Sequence, residues 1–243
     1  MAIIMTASLH RRAALLGGSC LLLTGCGDDG AREVKSLKTQ VQDRWGAKEF
    51  AKGYELAVKG FDLSRKLNGD KHPDTLYFAQ AVTETATGAR NMRAAQKALK
   101  TELDIRSAAG QSEDKLQRRR TLLIKLAEES GDKATAIAQT VIIAKVIKMG
   151  PGKDPQPTYR PDESPYPIAL AKDRVEGDVD LSFSLDADGK PGGIKVIKAT
   201  PRNVFDQAAI DHLQKWRFTP FIENGQPVSS TGHHYLLGFR MPR

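Results

Sequence analysis

Six of the twelve prolines in this 243-residue chain crowd into Met149 to Pro167, MGPGKDPQPTYRPDESPYP. Proline fixes φ and has no amide donor, so neither a helix interior nor a central strand fits there. The stretch reads as a linker, extended at about 3.1 Å per residue wherever it is polyproline-like. It also divides the chain by hydrophobic period. Apolar residues recur at helical spacing before it and alternate at strand spacing after it. The expected layout is a leader over residues 1–25, a helical array over 26–148, a linker over 149–165 and a small α+β domain over 166–243.

Within the helical part the sequence repeats. GAKEFAKGYELAVKGFDLSRKLNGD from Gly46, GARNMRAAQKALKTELDIRSAAGQ from Gly88 and GDKATAIAQTVIIAKVIKM from Gly131 each open on glycine and continue as an amphipathic run. Between them lie Thr75 to Thr87 and Lys115 to Ser130, both helical in period. Leu116, Leu122, Leu123, Leu126 and Ala127 fall near one face. With a first helix over roughly Ala31 to Asp43, the pattern is helix, glycine-containing turn, helix, three times over. This resembles tetratricopeptide repeats, in the longer variant with an extended loop seen in kinesin light chains. GDKHPDT, Gly69 to Thr75, matches the loop of that variant. There Pro73 suits the first helical position and Asp74 the first turn. The third copy lacks the terminal loop. The resemblance implies a partner-binding surface, because stacked repeats present an extended concave face. His72-Pro73-Asp74 reads as a helix start, and Arg118 to Arg120 as a solvated basic face.

After the prolines, GDVDLSFSLDADG alternates: Val179, Leu181, Phe183 and Leu185 face one way, Asp178, Asp180, Ser182 and Ser184 the other. That is a half-buried strand ending in an Asp188-Gly189 turn. Gly193 to Thr200 is its return, with Lys195 or Lys198 across from an aspartate according to register. Asn203 suits an N-cap for a helix whose buried stripe is Phe205, Ala209, Leu213 and Trp216. RFTPFI is a third strand, Asn224-Gly225 a hairpin signal and Thr231 to Met241 the last strand, giving β-β-α-β-β. The spaced motifs Tyr166-Pro167, Gly177 to Gly189, Asp206-Ala208-Ala209, Trp216-Arg217-Phe218-Pro220 and Asn224-Gly225 resemble the C-terminal domain of the TonB family. The resemblance implies docking by strand addition, in which backbone bonds supply affinity and side-chain pockets selection. The implied edge is the last strand, with Thr231, His233, Tyr235, Leu237 and Phe239 as its partner-binding residues. The implied partner is an extended peptide of an outer-membrane protein or another envelope component.

The N-terminal segment reads as an export signal: HRR at His10 to Arg12, then a run of apolar and small residues from Ala13 to Gly25. A membrane-spanning helix needs about 20 such residues, so this run suits a signal h-region. LLTGC, Leu22 to Cys26, resembles the bacterial lipobox, which implies cleavage before Cys26 and a lipid on it. Gly27 follows, the pattern that in enterobacteria resembles lipoproteins of the outer membrane. An energising TonB protein instead has a membrane helix there. A net charge of +8 spread over the chain is too mild for a nucleic-acid footprint. No phosphate-binding glycine loop, metal-ligand spacing or nucleophile elbow stands in the sequence. His233 and His234 are adjacent, so a strand sends them to opposite faces.

The expectation is therefore a non-enzymatic periplasmic lipoprotein without metal or cofactor. It would act as an envelope adaptor anchored through Cys26, with a second protein partner on the repeats and a possible supporting role in outer-membrane transport. The alternative is a TonB-type energy transducer whose residues 1–25 remain as an anchor. The retention or loss of that segment separates the two.

Overall fold

A computed structural model describes residues 25–163, 165–170 and 172–241. The expected leader, apart from Gly25, and the side chain of Cys26 lie outside the described residues. Six helices come first: α1 (Gly25–Gly46), α2 (Phe50–Asn68), α3 (Pro73–Gly88), α4 (Met92–Ala108), α5 (Glu113–Ser130) and α6 (Lys133–Val146). Each packs on the next in sequence. The repeated glycines sit at the helix ends. Gly46 and Gly88 close α1 and α3, and Gly131 caps α5 in the left-handed conformation at φ 80°. The side chains of Asn91 and Asp132 then accept the Ala94 and Thr135 amides at the starts of α4 and α6, satisfying donors that a helix start leaves free. Pro73 opens α3, and the His72 ring accepts the Asp74 amide.

Small residues let the helices approach closely. A Cβ on Gly60 would stand 2.1 Å from the ring of Phe78, which is fully buried between α2 and α3. Val34, Leu37 and Val41 of α1 join that cluster, and Leu99, Leu103, Leu116 and Leu123 form the next one along the array. Burying each such side chain contributes about 1.5–3 kcal/mol. The basic run on α5 is not simply solvated. Arg119 and Arg106 both pair with the fully buried Glu102 of α4. Arg120, itself buried, bonds Glu113 and Gln139. Only Arg118 of the three stands in solvent. A carboxylate inside the array draws two guanidinium groups inward because an unpaired buried charge is costly.

In the C-terminal part, β2 (Gly177–Leu185) alternates buried and half-buried residues as its pattern predicts. It is the middle strand of an antiparallel sheet ordered β3-β2-β7, with β3 at Pro191–Thr200 and β7 at Ser230–Phe239. The register sets Lys198, not Lys195, opposite Asp180. The helix α7 (Asp206–Gln214) lies over β3 and β2 and buries Ala209 and Leu213 beside Phe205, Trp216 and Phe218.

Three features differ from expectation. First, α7 starts at Asp206, and Asn203 adopts φ 59° in the turn before it rather than capping it. Second, the predicted third strand breaks at Thr219-Pro220, since proline cannot continue a ladder. Its first piece, β4 (Arg217–Phe218), and its second, β5 (Phe221–Glu223), pair with different strands. The Asn224-Gly225 turn closes a hairpin between β5 and β6 (Gln226–Val228), with φ positive at both residues. Third, the proline-rich segment is docked on both sides. Its Pro157–Tyr159 forms β1, antiparallel to β4.

The proline-rich segment thereby joins the two halves. The Thr158 hydroxyl lies 3.2 Å from that of Thr140 on α6 and donates to the Arg217 carbonyl. The Thr219 amide donates to the Gln156 carbonyl, and the Ile222 amide to the Met149 carbonyl. Tyr159 packs on the cluster of Ile124, Ala127 and Ile143. Arg217, 1% exposed, reaches across to Glu128 of α5 and also donates to the Asp188 carbonyl. Lys190 completes the cluster, 3.6 Å from Glu128.

Candidate partner-binding edge

Among the described residues no further strand pairs with either outer strand of the three-stranded sheet, and the two differ in regularity. The β3–β2 register slips twice, near Leu181 and again beyond Ser182. Along β7, residues Phe239 back to His233 pair without a break with Gly177 to Phe183. Bulges interrupt and twist an edge, so β7 is the better template for another strand. One slip separates His233 from Ser230, where Gly232 takes φ 80°.

The five residues expected to meet a partner differ in burial. His233, Leu237 and Phe239 are buried and Tyr235 is half-buried, all toward the core, while Thr231 is exposed. The opposite face carries His234, Leu236 and Gly238. Core packing claims the odd-numbered set because Leu237 and Phe239 join Val179, Leu181 and Phe205. What β7 can offer a partner is thus its backbone and the even-numbered side chains. Leu236, 65% exposed, is the large apolar side chain of that face. Its signal was present in the sequence: Leu236-Leu237 breaks the alternation, so one of the two had to face out.

Around β7 the side chains are fixed. The Arg240 guanidinium donates to the Gly177 carbonyl at 2.6 Å and pairs with Asp178. Arg160, just past β1, lies over the rings of Trp216 and Tyr235, 4.6 and 5.7 Å from their centroids. This cation–π clamp, invisible to periodicity, ties the docked segment to the edge strand.

Ser230 and His233 share a buried hydrogen bond of 2.7 Å. Burial holds His233 below the ordinary imidazole range, Asp154 opposing and His234 adding to the effect. Among the described residues no carboxylate hydrogen-bonds the ring. Burial likewise lowers His212, beside Trp216. Among the described residues no group of three His, Cys, Asp or Glu side chains could hold a metal ion.

The two histidines give the domain a pH dependence with a definite sign. Burial favours the neutral ring of each in the fold and lowers its pKa from the ordinary 6.5 that holds when unfolded. The unfolded state therefore gains protons first as pH falls, and the stability is lost from about pH 6.5 downward. Urea midpoints of the protein should drop over that window. A His212→Gln/His233→Gln variant should show a flatter profile, and an equally steep one would exclude these rings as the source.

Comparison with known proteins finds similarity in the C-terminal part of the chain. Residues 162–236 match the family described as Gram-negative bacterial TonB protein C-terminal. Protein TonB of Klebsiella aerogenes is 34% identical over 87 residues, 36% of this chain and 33% of that protein. Protein TonB of Pseudomonas aeruginosa is 31% identical over 70 residues, 29% of this chain and 20% of that protein. The chain thus spans a third or less of the length of these relatives. Among solved structures, the TonB2 protein of Vibrio anguillarum is 34% identical, covering 39% of this chain and 89% of that one, with a TM-score of 0.30. Among the described residues no helix is long and apolar enough to cross a membrane. The matching region carries the three-stranded sheet up to Leu236 and the whole of α7, and the helical array lies outside it.

Proposed function

We propose that this chain is a non-enzymatic adaptor of the Gram-negative envelope. Its TonB-like domain takes an extended segment of an outer-membrane protein onto β7, and its helical array holds a second protein. Its TonB-type role is to support transport across the outer membrane. The observation that carries this reading is the edge of β7, continuous in register from His233 to Phe239, next to and partly within a region similar to TonB C-terminal domains. Cys26 is the proposed lipid attachment point, facing the periplasm from the outer membrane. Two acyl chains suffice for stable anchoring at about 0.8 kcal/mol per buried methylene.

Similarity to Protein TonB favours a second reading, in which the segment before Cys26 is retained and the chain transduces energy. The intact mass of protein extracted from membranes separates the two. A chain starting at Cys26 with added acyl mass supports the adaptor, and one retaining residues 1–25 supports the transducer.

The edge itself is tested by amide NMR during titration with a synthetic peptide from the periplasmic segment of an outer-membrane receptor. Shifts should concentrate on Ser230 to Phe239 and spare Pro191 to Thr200. A folded Leu236→Pro variant should lose the response. Shifts centred on the β3 strand would overturn the assignment.

A further inference from the structure

On the helical array, α2 and α4 flank an open groove of about 360 Å³ whose floor includes α3. Val58 and Phe61 of α2, Val82 of α3 and Ala98 of α4 form its apolar lining. Arg93 and Lys97 rise from the α4 side, both exposed. Among the described residues neither makes an ion pair or a side-chain hydrogen bond, and no acidic residue lines the groove. Other cations of the array do find acids: Lys38 pairs with Asp74, Lys59 with Glu33, Arg106 and Arg119 with Glu102. Two unanswered positive charges thus stand beside an apolar trough with no acid in its lining.

We propose that the groove binds an acidic amphipathic helix of a partner protein. The inference rests on the reading of the array as a second binding module and names the chemistry of what it holds. Arg93 and Lys97 stand four residues apart, about 6 Å along the axis. Carboxylates four apart on a docking helix have the same pitch, so both charges are answered at once. Apolar side chains at i, i+3, i+4 and i+7 on that helix fill the trough. The groove opens to solvent, and residues of three successive helices line it, so a docking helix can be laid against it. A lone acyl chain would be left partly in water.

The test uses the full chain and a fluorescein-labelled amphipathic peptide of about 16 residues. Leucines form one stripe, with glutamates four apart beside it. A twin peptide carries lysines in place of the glutamates. Anisotropy should show salt-sensitive binding of the glutamate peptide alone. Arg93→Glu/Lys97→Glu should weaken it by about tenfold or more and shift preference to the lysine twin. Both side chains are exposed and unbonded, so circular dichroism of this variant should match the parent. Equal binding of the two peptides, no binding of either, or indifference to the double substitution would overturn the proposal. Displacement by oleate would reassign the groove to an acyl ligand, and self-association abolished by the same substitutions would reassign it to a second copy. The variant's response to the receptor peptide at β7 is read in parallel. Loss of the groove peptide with that response intact tells a failed groove from a failed edge.

Discussion

Glu128→Gln should lower the stability of the whole chain by about 3–5 kcal/mol, the usual cost of removing one partner from a buried ion pair. Glu128 is 10% exposed and Arg217 1%. Glutamine keeps the shape but leaves the guanidinium facing a neutral amide in a space from which water is excluded. Lys190, 3.6 Å from the same carboxylate, then becomes a second uncompensated cation. Burial already pushes the Lys190 ammonium down, with Glu128 the main opposing influence. Urea unfolding measures the loss. The companion variant Glu128→Leu/Arg217→Met should recover most of it, because an apolar pair of similar volume needs no charge balance. A loss below about 1 kcal/mol in the single variant would show that Arg217 is satisfied by the Asp188 carbonyl alone.

Trp216→Ala should cost the C-terminal domain about 3–5 kcal/mol, as large core truncations do. The indole is 2% exposed and touches the rings of Phe218, Tyr235 and His212 at centroid distances of 5.8, 4.9 and 5.6 Å. It also carries the Arg160 guanidinium, so truncation frees the end of the docked segment. Trp216→Phe should cost much less, about 1–2 kcal/mol. The indole N–H has no partner among the described residues, so its deletion orphans no acceptor. Near-ultraviolet dichroism and urea midpoints report both. Full stability of the alanine variant would exclude Trp216 from the core.

The helical half was legible because its code is local. Glycine spacing, capping residues and the 3.6 period place α1 to α6 close to where they lie, although α1 runs from Gly25 to Gly46 rather than over Ala31 to Asp43. Strand β2 was equally plain, its alternation setting Val179 through Leu185 on the buried face. What stayed hidden depends on distant partners. No local pattern announces that Arg217, next to Trp216 in an apolar run, seeks a carboxylate 89 positions earlier. Nor does Glu102, in a helix rich in charge, declare itself the buried one. Which face of β7 packs inward is hidden for a related reason. Leu236-Leu237 leaves two phases open, and only the packing of Leu237 and Phe239 against α7's side of the sheet decides between them.

The docked proline-rich segment has a consequence for how a bivalent ligand would be held. A free 17-residue spacer, treated as a flexible coil, would let β7 wander about 20–25 Å from the array. A second binding site would then be felt at a diluted effective concentration over many orientations. With β1 paired to β4 and Arg217 seated against α5, that wandering is removed. The groove on α2 and α4 and the edge of β7 stand at one separation, as two marks on a ruler. A ligand of matching span gains avidity without paying for a search, and one of the wrong span gains none.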